Sequence, residues 1–338
     1  MTDTTREIRL ASRPEGEPAP ENFELAEVRV PEPAAGEVLV RNSYLSVDPY
    51  MRGRMRDVKS YIPPFAVGEV LQGGAVGQVV ASNGGDLQEG AWVQSMNGWR
   101  EHFTSDGSGL LPVDPSVAPV STSLGVLGMP GLTAWYGLTQ IGDPKEGETV
   151  FVSAAAGAVG SVVGQLARLR GARAVGSAGS PEKVEYLTGE LDFDAAFDYK
   201  QEDLNGALRE HCPDGIDVYF DNVGGDHLEA ALSRMNTHGR VPLCGMVSTY
   251  NSDAPPPAPR NFGELLPRRV AITGFIITDH FDRYAEFARE VAGYLTGGQL
   301  RYRETVLDGI ERMPEAFIGL LRGDNLGKML VRVGPDPD

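Results

Sequence analysis

The sequence is poor in cysteine and contains no long apolar run. Only two of its 338 residues, Cys212 and Cys244, are cysteines, which is too few for a disulfide framework and is consistent with a reducing compartment. No run of bulky apolar residues is long enough to span a bilayer, and the segment that starts at Met1 lacks the apolar core of a secretory signal. These absences predict a cytoplasmic protein with no membrane partner.

Positive charge is also scarce. The chain has 30 lysines and arginines against 47 aspartates and glutamates, and a formal net charge of -17. Nucleic acids and anionic membranes are polyanions, so this balance predicts that neither is a partner. A small anionic ligand is still compatible with it, because a few local cations and amides decide such binding.

The rhythm of the sequence changes along the chain, and its length suits two domains. In residues 1–125, short alternating segments such as Gly36–Asn42 and Ala75–Ala81 are separated by Gly, Pro and Asn, which predicts a small β-barrel. Residues 126–299 alternate between strand and helix patterns. Residues 300–338 again show strand-like sequence patterns, and we expect them to pack on the first domain.

The alternating region predicts an α/β fold with a doubly wound parallel sheet and right-handed crossovers. Helical spacing of apolar residues from Val159 to Leu169 separates the first two strand candidates. The six candidates are Thr149–Ser153, Ala172–Ser177, Ala195–Asp198, Ile216–Asp221, Gly239–Cys244 and Val270–Phe275.

A glycine-containing loop follows the first of these strands. It places Gly157, Ala158, Val159 and Gly160 where a dinucleotide fold holds a pyrophosphate, because glycine lets the backbone approach and the helix start supplies free amides. The first of the three usual glycines is replaced by Ala155. Glycine-rich turns also occur for packing. The strand before the loop and the helix after it favour a dinucleotide.

No carboxylate stands where such folds read the cofactor ribose. An NAD-binding protein places Asp or Glu about 20 residues beyond the loop, and this chain has Ser177 there. Ser180 and Pro181 read as the N-cap and first residue of the next helix, whose first turn carries Lys183. The pattern predicts NADPH, with Lys183 on its 2′-phosphate. The alternative is that Lys183 is an ordinary solvated lysine.

Several segments together resemble the medium-chain dehydrogenase/reductase superfamily. The resemblance is to its zinc-independent NADPH-dependent alkenal/one and prostaglandin or leukotriene reductases, especially the bacterial curcumin-reductase-like members. It implies a Rossmann domain, a GroES-like barrel and a homodimer, formed through the sheet edge near Val270–Phe275. The segments are Ala11–Pro14, Pro20–Phe23, Asp48–Met55, Leu124–Ala134, the glycine loop, Asp221–Gly225, Cys244–Asn251, Gly274–Ile277 and Asn325–Lys328.

The resemblance also implies roles for single residues. Lys183 and Tyr199 would hold the adenosine phosphate end, although Asp198 replaces the amide that commonly precedes this tyrosine. Asn222 would lie against a cofactor ribose. The residues implied for the nicotinamide half and its cleft are Thr133, Cys244, Gly245, Met246, Tyr250, Phe275, Ile276, Ile277 and Asn325.

The sequence lacks the metal ligands of the zinc-dependent relatives. Those enzymes need Cys, His and Glu around a catalytic metal and four cysteines at a structural site. Two cysteines cannot build the second site, and Gly68 stands where the usual ligand His precedes Glu69. We therefore predict that the protein uses no metal.

Without a Lewis acid, a conjugated C=C–C=O group is an easier substrate than an isolated carbonyl. We expect hydride transfer to the β-carbon of a small enone or enal, with Tyr250 donating a hydrogen bond to the enolate and Tyr50 facing the substrate. Loop packing for Tyr250 and a structural role for Tyr50 are the alternatives. A quinone reductase and a non-catalytic NADPH-binding protein are the alternative functions.

Overall fold

The computed structural model describes residues 4–252, 254 and 257–337, which form two compact units. The first unit takes the described residues of Met1–Leu124, Glu304–Asn325 and Met329–Asp338. The second takes those of Gly125–Arg303 and Leu326–Lys328. The predicted boundaries at 125/126 and 299/300 stay predictions about domains.

The strands, in chain order, are β1 (Thr4–Leu10), β2 (Phe23–Arg29), β3 (Val38–Ser46), β4 (Ala75–Ser82), β5 (Trp92–Ser95), β6 (His102–Ser105), β7 (Leu111–Val113), β8 (Thr149–Val152), β9 (Arg173–Ala178), β10 (Ala195–Asp198), β11 (Ile216–Phe220), β12 (Met235–Leu243), β13 (Ala271–Gly274), β14 (Glu304–Asp308) and β15 (Lys328–Arg332). The α-helices are α1 (Met51–Arg54), α2 (Met129–Tyr136), α3 (Gly160–Leu169), α4 (Pro181–Glu185), α5 (Leu204–His211), α6 (Gly225–Leu232), α7 (Leu265–Arg268), α8 (Tyr284–Thr296) and α9 (Met313–Arg322). None of these helices combines the length and the hydrophobicity that a bilayer span requires.

The first unit is built on β-sheet. Its larger sheet has the order β14-β15-β3-β4-β5-β7, with β6 also pairing with β3, and β1 pairs with β2 in a separate ribbon. Alternation of apolar residues along these strands buries one face against an aromatic cluster. In that cluster Trp99 stacks on Phe23 at 5.7 Å and meets Phe317 edge-on at 6.0 Å.

The second unit is a doubly wound sheet of parallel strands, which confirms the predicted α/β class. Its strand order is β10-β9-β8-β11-β12-β13, and every neighbouring pair is parallel. The chain reverses its winding direction between β8 and β11. In open α/β sheets, ligands bind outside the carboxyl ends of the strands at this switch point.

Close packing fixes the position of α3, the helix that begins at the end of the glycine loop. The helix buries Val162, Val163 and Leu166 in the core of the second unit. Gly164 is required on the same helix, because a Cβ there would lie only 1.9 Å from Cζ of Phe193. At Gly164 the helix backbone therefore lies closer to the Phe193 ring than any residue with a Cβ would allow.

Two Gly→Ala substitutions in helices should have opposite effects on stability. Gly164→Ala forces a clash with the buried Phe193 ring, and we expect it to lower the free energy of unfolding by about 1–3 kcal/mol. Gly293→Ala lies in α8, where a Cβ meets nothing within 4 Å, and should raise it by about 0.5–1 kcal/mol. Midpoints of urea unfolding measure both. Equal shifts would contradict the packing role of Gly164.

Candidate functional site

The loop after β8 brings two glycines into different environments. A Cβ on Gly160 would lie 2.5 Å from the carbonyl oxygen of Ala154, so Gly160 is required by packing. A Cβ on Gly157 would meet only that oxygen, at 3.3 Å. Ala154 itself adopts φ +47°, a conformation that glycine favours. The open space over Gly157 fits a ligand that approaches the backbone.

The start of α3 supplies unpaired amides beside this space. The N–H groups of Ala158 and Val159 have no acceptor among the described residues, and both residues are half-buried. The ten-residue helix adds the positive end of its dipole at the same place. These donors fit the pyrophosphate of a dinucleotide.

Ser177, the predicted ribose position, lies one residue before the end of β9. Ser177 is fully buried within β9, and its hydroxyl has no hydrogen-bond partner among the described residues. Its cofactor role stays a prediction. The strand ends at Ala178, so Gly179 is the half-buried residue at the sheet edge. Gly179 carries no carboxylate either, so no acidic side chain stands at the end of β9.

The turn that follows positions Lys183. Ser180 caps α4, and its hydroxyl accepts the N–H of Lys183 at 3.4 Å, with Pro181 in the first helical turn. The predicted cap is thereby confirmed. Lys183 is half-buried in the first turn of this helix, close in sequence to Gly179.

Tyr199 lies beside the end of β9. Its N–H donates to the carbonyl of Ala178 at 3.1 Å. Its hydroxyl lies 3.2 Å from where a Cβ on Gly179 would be. The carboxylate of Asp198 is buried and accepts the N–H of Lys200 at 3.0 Å. One oxygen of the Asp198 carboxylate is thus hydrogen-bonded to a backbone N–H.

A buried carboxylate that the sequence patterns did not single out organises the switch point. Asp221 Oδ1 accepts hydrogen bonds from the Tyr219 hydroxyl at 2.7 Å and from the N–H groups of Val223 at 2.9 Å and Gly224 at 2.8 Å. Ser153 Oγ donates to it at 3.3 Å. Asp221 is fully buried. Burial raises the pKa of its carboxyl, and the donors oppose that shift.

Asn222 is held at the same point. Its side-chain amide donates to the carbonyl of Ser153 at 2.8 Å, and its backbone N–H donates to Ser153 Oγ at 3.0 Å. Ser153 directly follows β8 and Asn222 lies just beyond β11, so these bonds connect the carboxyl ends of the two central strands. The predicted ribose residue therefore lies at the edge of the crevice.

A cleft of about 680 Å³ brings most of the predicted nicotinamide residues together. They come from the end of β12 and from the segment after β13. The predicted residues that line it are Cys244, Gly245, Met246, Tyr250, Phe275 and Ile276. Tyr136 and His280 also line it, stacked at 4.0 Å, although the sequence did not indicate either.

Three predicted residues lie outside this lining: Thr133, Ile277 and, in the first unit, Asn325. Thr133 donates its hydroxyl to the carbonyl of Met129 in its own helix, at 2.7 Å. Ile277 is buried in the core of the second unit. Their cofactor roles stay predictions.

Tyr250 and Cys244 differ in their chemistry. A Cβ on Gly245 would lie 3.3 Å from the Tyr250 hydroxyl, so the glycine gives that hydroxyl room. Burial raises the pKa of the Cys244 thiol to about 12. The thiol is therefore neutral at physiological pH and has no nucleophilic thiolate form.

The first unit contributes Tyr50 and Asn325 to the predicted set. Tyr50 immediately precedes α1, and its hydroxyl is buried with no hydrogen-bond partner among the described residues. Burial raises its pKa well above the ordinary value, so it stays protonated. Asn325 is buried. An unpartnered buried hydroxyl is costly unless a ligand satisfies it.

Family models match both units. One, described as "N-terminal domain of oxidoreductase", matches residues 6–113, and one described as "Zinc-binding dehydrogenase" matches residues 158–293. The NADPH-dependent curcumin reductase of Escherichia coli is 47% identical over 97% of this chain and 96% of its own length. The NADP(+)-dependent 2-alkenal reductase of Nicotiana tabacum is 41% identical over 98% of each chain.

This chain belongs to the medium-chain dehydrogenase/reductase superfamily. Within it, the chain is of the NADPH-dependent curcumin, alkenal and prostaglandin reductase type. The solved structure of CurA in complex with NADPH from Vibrio vulnificus matches with a TM-score of 0.93 and 47% identity, over 98% of this chain and 99% of that one. The expected combination of Rossmann and GroES-like folds is confirmed.

The donors of this chain do not fit the zinc that one family description names. Across residues 4–252, 254 and 257–337, no three His, Cys, Asp or Glu side chains are grouped so that they could hold a metal ion. Cys212 is buried and packs in an apolar cluster of the second unit.

A buried histidine next to Tyr199 gives a test by pH. His227 meets the Tyr199 ring edge-on at 4.9 Å, and its Nε2 has no partner in the described part of the chain. Burial lowers the pKa of His227 to about 4. The unfolded chain therefore takes up a proton as the pH falls through about 6.5, before the folded protein does, and stability is lost down to about pH 4.

His227→Phe should remove that loss. From pH 7 to pH 4 we expect the variant to lose about 3 kcal/mol less unfolding free energy than the unmodified chain. At pH 7 the two should be similarly stable, because Phe fills the site and no hydrogen bond is broken at Nε2. Urea unfolding at several pH values measures this, and parallel pH profiles would count against a neutral buried His227.

Proposed function

We propose that this chain is an NADPH-dependent reductase that transfers a hydride to the β-carbon of α,β-unsaturated ketones and aldehydes, without a metal. The observation that carries the proposal is the cleft lined by the Tyr250 hydroxyl and the ends of β12 and β13, with no metal-ligand group among the described residues. The names of the curcumin and alkenal reductases support this substrate class.

The cofactor would lie across the switch point. The loop from Gly157 to Gly160 would hold the pyrophosphate, and Lys183 with Tyr199 the 2′-phosphate. Asn222 would meet a ribose, and the cleft residues would surround the nicotinamide, with Thr133, Ile277 and Asn325 beside it. When bound, NADPH supplies the hydride.

The protein's own contribution is to stabilise charge on the substrate. As the β-carbon gains the hydride, the electron pair of the C=C bond moves toward the carbonyl and forms an enolate. Tyr250 donates a hydrogen bond to the enolate oxygen, because a tyrosine hydroxyl is a hydrogen-bond donor and this oxygen gains negative charge. A proton from solvent then adds to the α-carbon of the enolate, which restores the carbonyl and leaves a saturated C–C bond. Tyr50 is the second substrate contact in this scheme.

The remaining partner proposals concern assembly and location. The uncovered edge strand β13 favours a homodimer through Val270–Phe275, since exposed strand edges tend to pair. A small enone or enal is the substrate partner. The cytoplasmic location stays a prediction from composition.

An NADPH-consumption screen tests the substrate class. We expect oxidation of NADPH with enones and enals, and product analysis should show a saturated C–C bond with the carbonyl intact. Turnover of quinones alone would replace the proposal with a quinone reductase. NADPH binding without turnover on any substrate would favour the non-catalytic alternative.

Tyr250→Phe tests the donor role. Loss of one donor to a developing oxyanion should lower kcat by about 10- to 100-fold, while the NADPH dissociation constant changes little. Tyr294→Phe is the matched control, because the Tyr294 hydroxyl donates to Glu290 in α8 and does not line the cleft. An unchanged kcat in Tyr250→Phe would remove this residue from catalysis.

A further inference from the structure

Lys200, a lysine other than Lys183, lies beside Gly179, the glycine that directly follows β9. A Cβ built on Gly179 would be 3.2 Å from Cε of Lys200 and 3.2 Å from the Tyr199 hydroxyl. An aspartate or glutamate at this position would therefore have to displace both side chains. In other dinucleotide folds a carboxylate that selects NAD lies at the end of this strand. Here the aliphatic part of the Lys200 side chain lies beside that position.

The backbone holds Lys200 in this position. The N–H of Lys200 donates to Asp198 Oδ1 at 3.0 Å, and the N–H of Gln201 donates to the carbonyl of Asp198 at 3.0 Å. The preceding residue, Tyr199, is bonded to the end of β9. The turn that carries Lys200 is thus tied to the strand whose end it covers.

The acids of this turn are committed to backbone donors. Asp198 accepts from Lys200 N–H, and Glu202 Oε1 accepts from Asp198 N–H at 3.2 Å. Among the ion pairs of the described residues, none involves Lys200. Its ammonium is exposed and available to an anion at the sheet edge.

We propose that Lys200 is a second cation for the cofactor 2′-phosphate and a determinant of the preference for NADPH over NADH. This inference rests on the proposed function, since it takes NADPH as the cofactor. Lys183 lies in α4, which begins two residues after Gly179, and Lys200 lies in the turn after β10 with its Cε beside Gly179. Two cations from separate elements bind a dianionic phosphate more strongly than one, and each adds to the discrimination against a free ribose hydroxyl.

Dissociation constants measured by titration calorimetry test this without turnover. For Lys200→Ala we expect NADPH and adenosine 2′,5′-bisphosphate to bind about tenfold more weakly, which corresponds to about 1.4 kcal/mol. NADH affinity should stay within about twofold, since it has no 2′-phosphate. Lys200→Arg should keep most of the affinity for NADPH, and the effect of Lys200→Ala should shrink at high salt.

Two further variants complete the comparison. Lys183→Ala should show the same selective loss, and Lys59→Ala, an exposed lysine of the first unit, should change neither cofactor. Equal losses for NADPH and NADH, or no loss for NADPH, in Lys200→Ala would overturn the inference while leaving the cofactor proposal intact. An unmodified chain with no preference for NADPH would overturn the cofactor proposal as well.

Discussion

The buried carboxylate of Asp221 holds the loops on which the rest of the site depends. Its Oδ1 accepts from Val223 and Gly224 in the turn after β11, and its backbone carbonyl accepts the N–H groups of Cys244 and Gly245 at 2.9 and 3.1 Å. One residue therefore connects the turn proposed to meet a ribose with the loop proposed to meet the nicotinamide. Burial without these donors would be costly, so the loops and the carboxylate stabilise each other.

In the proposed function, the two ends of the crevice bind the cofactor and substrate through different physical interactions. At the adenosine end, selectivity depends on charge: Gly179 brings no carboxylate, and Lys183 lies in the turn that follows. At the other end, the surface of the cleft around Tyr250 and Phe275 is largely apolar. A charged anchor far from the reacting atoms supplies binding energy, while the apolar end leaves the reacting group with a well-defined hydrogen-bond donor.

The neutral state of the side chains is part of this arrangement. Burial raises the pKa of Tyr50 and of Cys244, so both keep their protons at physiological pH. A hydroxyl that is protonated donates to developing negative charge, whereas a thiolate or metal would offer other reactions. In the chemistry proposed for this cleft, the protein contributes hydrogen bonds and NADPH supplies the hydride.

Local patterns in the sequence determined the strand and helix series, the glycine loop and the Ser180 cap, because spacing and capping depend on residues close together in the chain. Cleft residues such as Met246 and Phe275 came from the family resemblance. Only the tertiary structure decided which side chains face inward: it buries Ser177 and leaves Gly179 half-buried just beyond the end of β9. It also brought Asp221 to Ser153 and Lys200 over Gly179. These contacts join residues distant in sequence, and burial depends on which elements pack on each side of a strand.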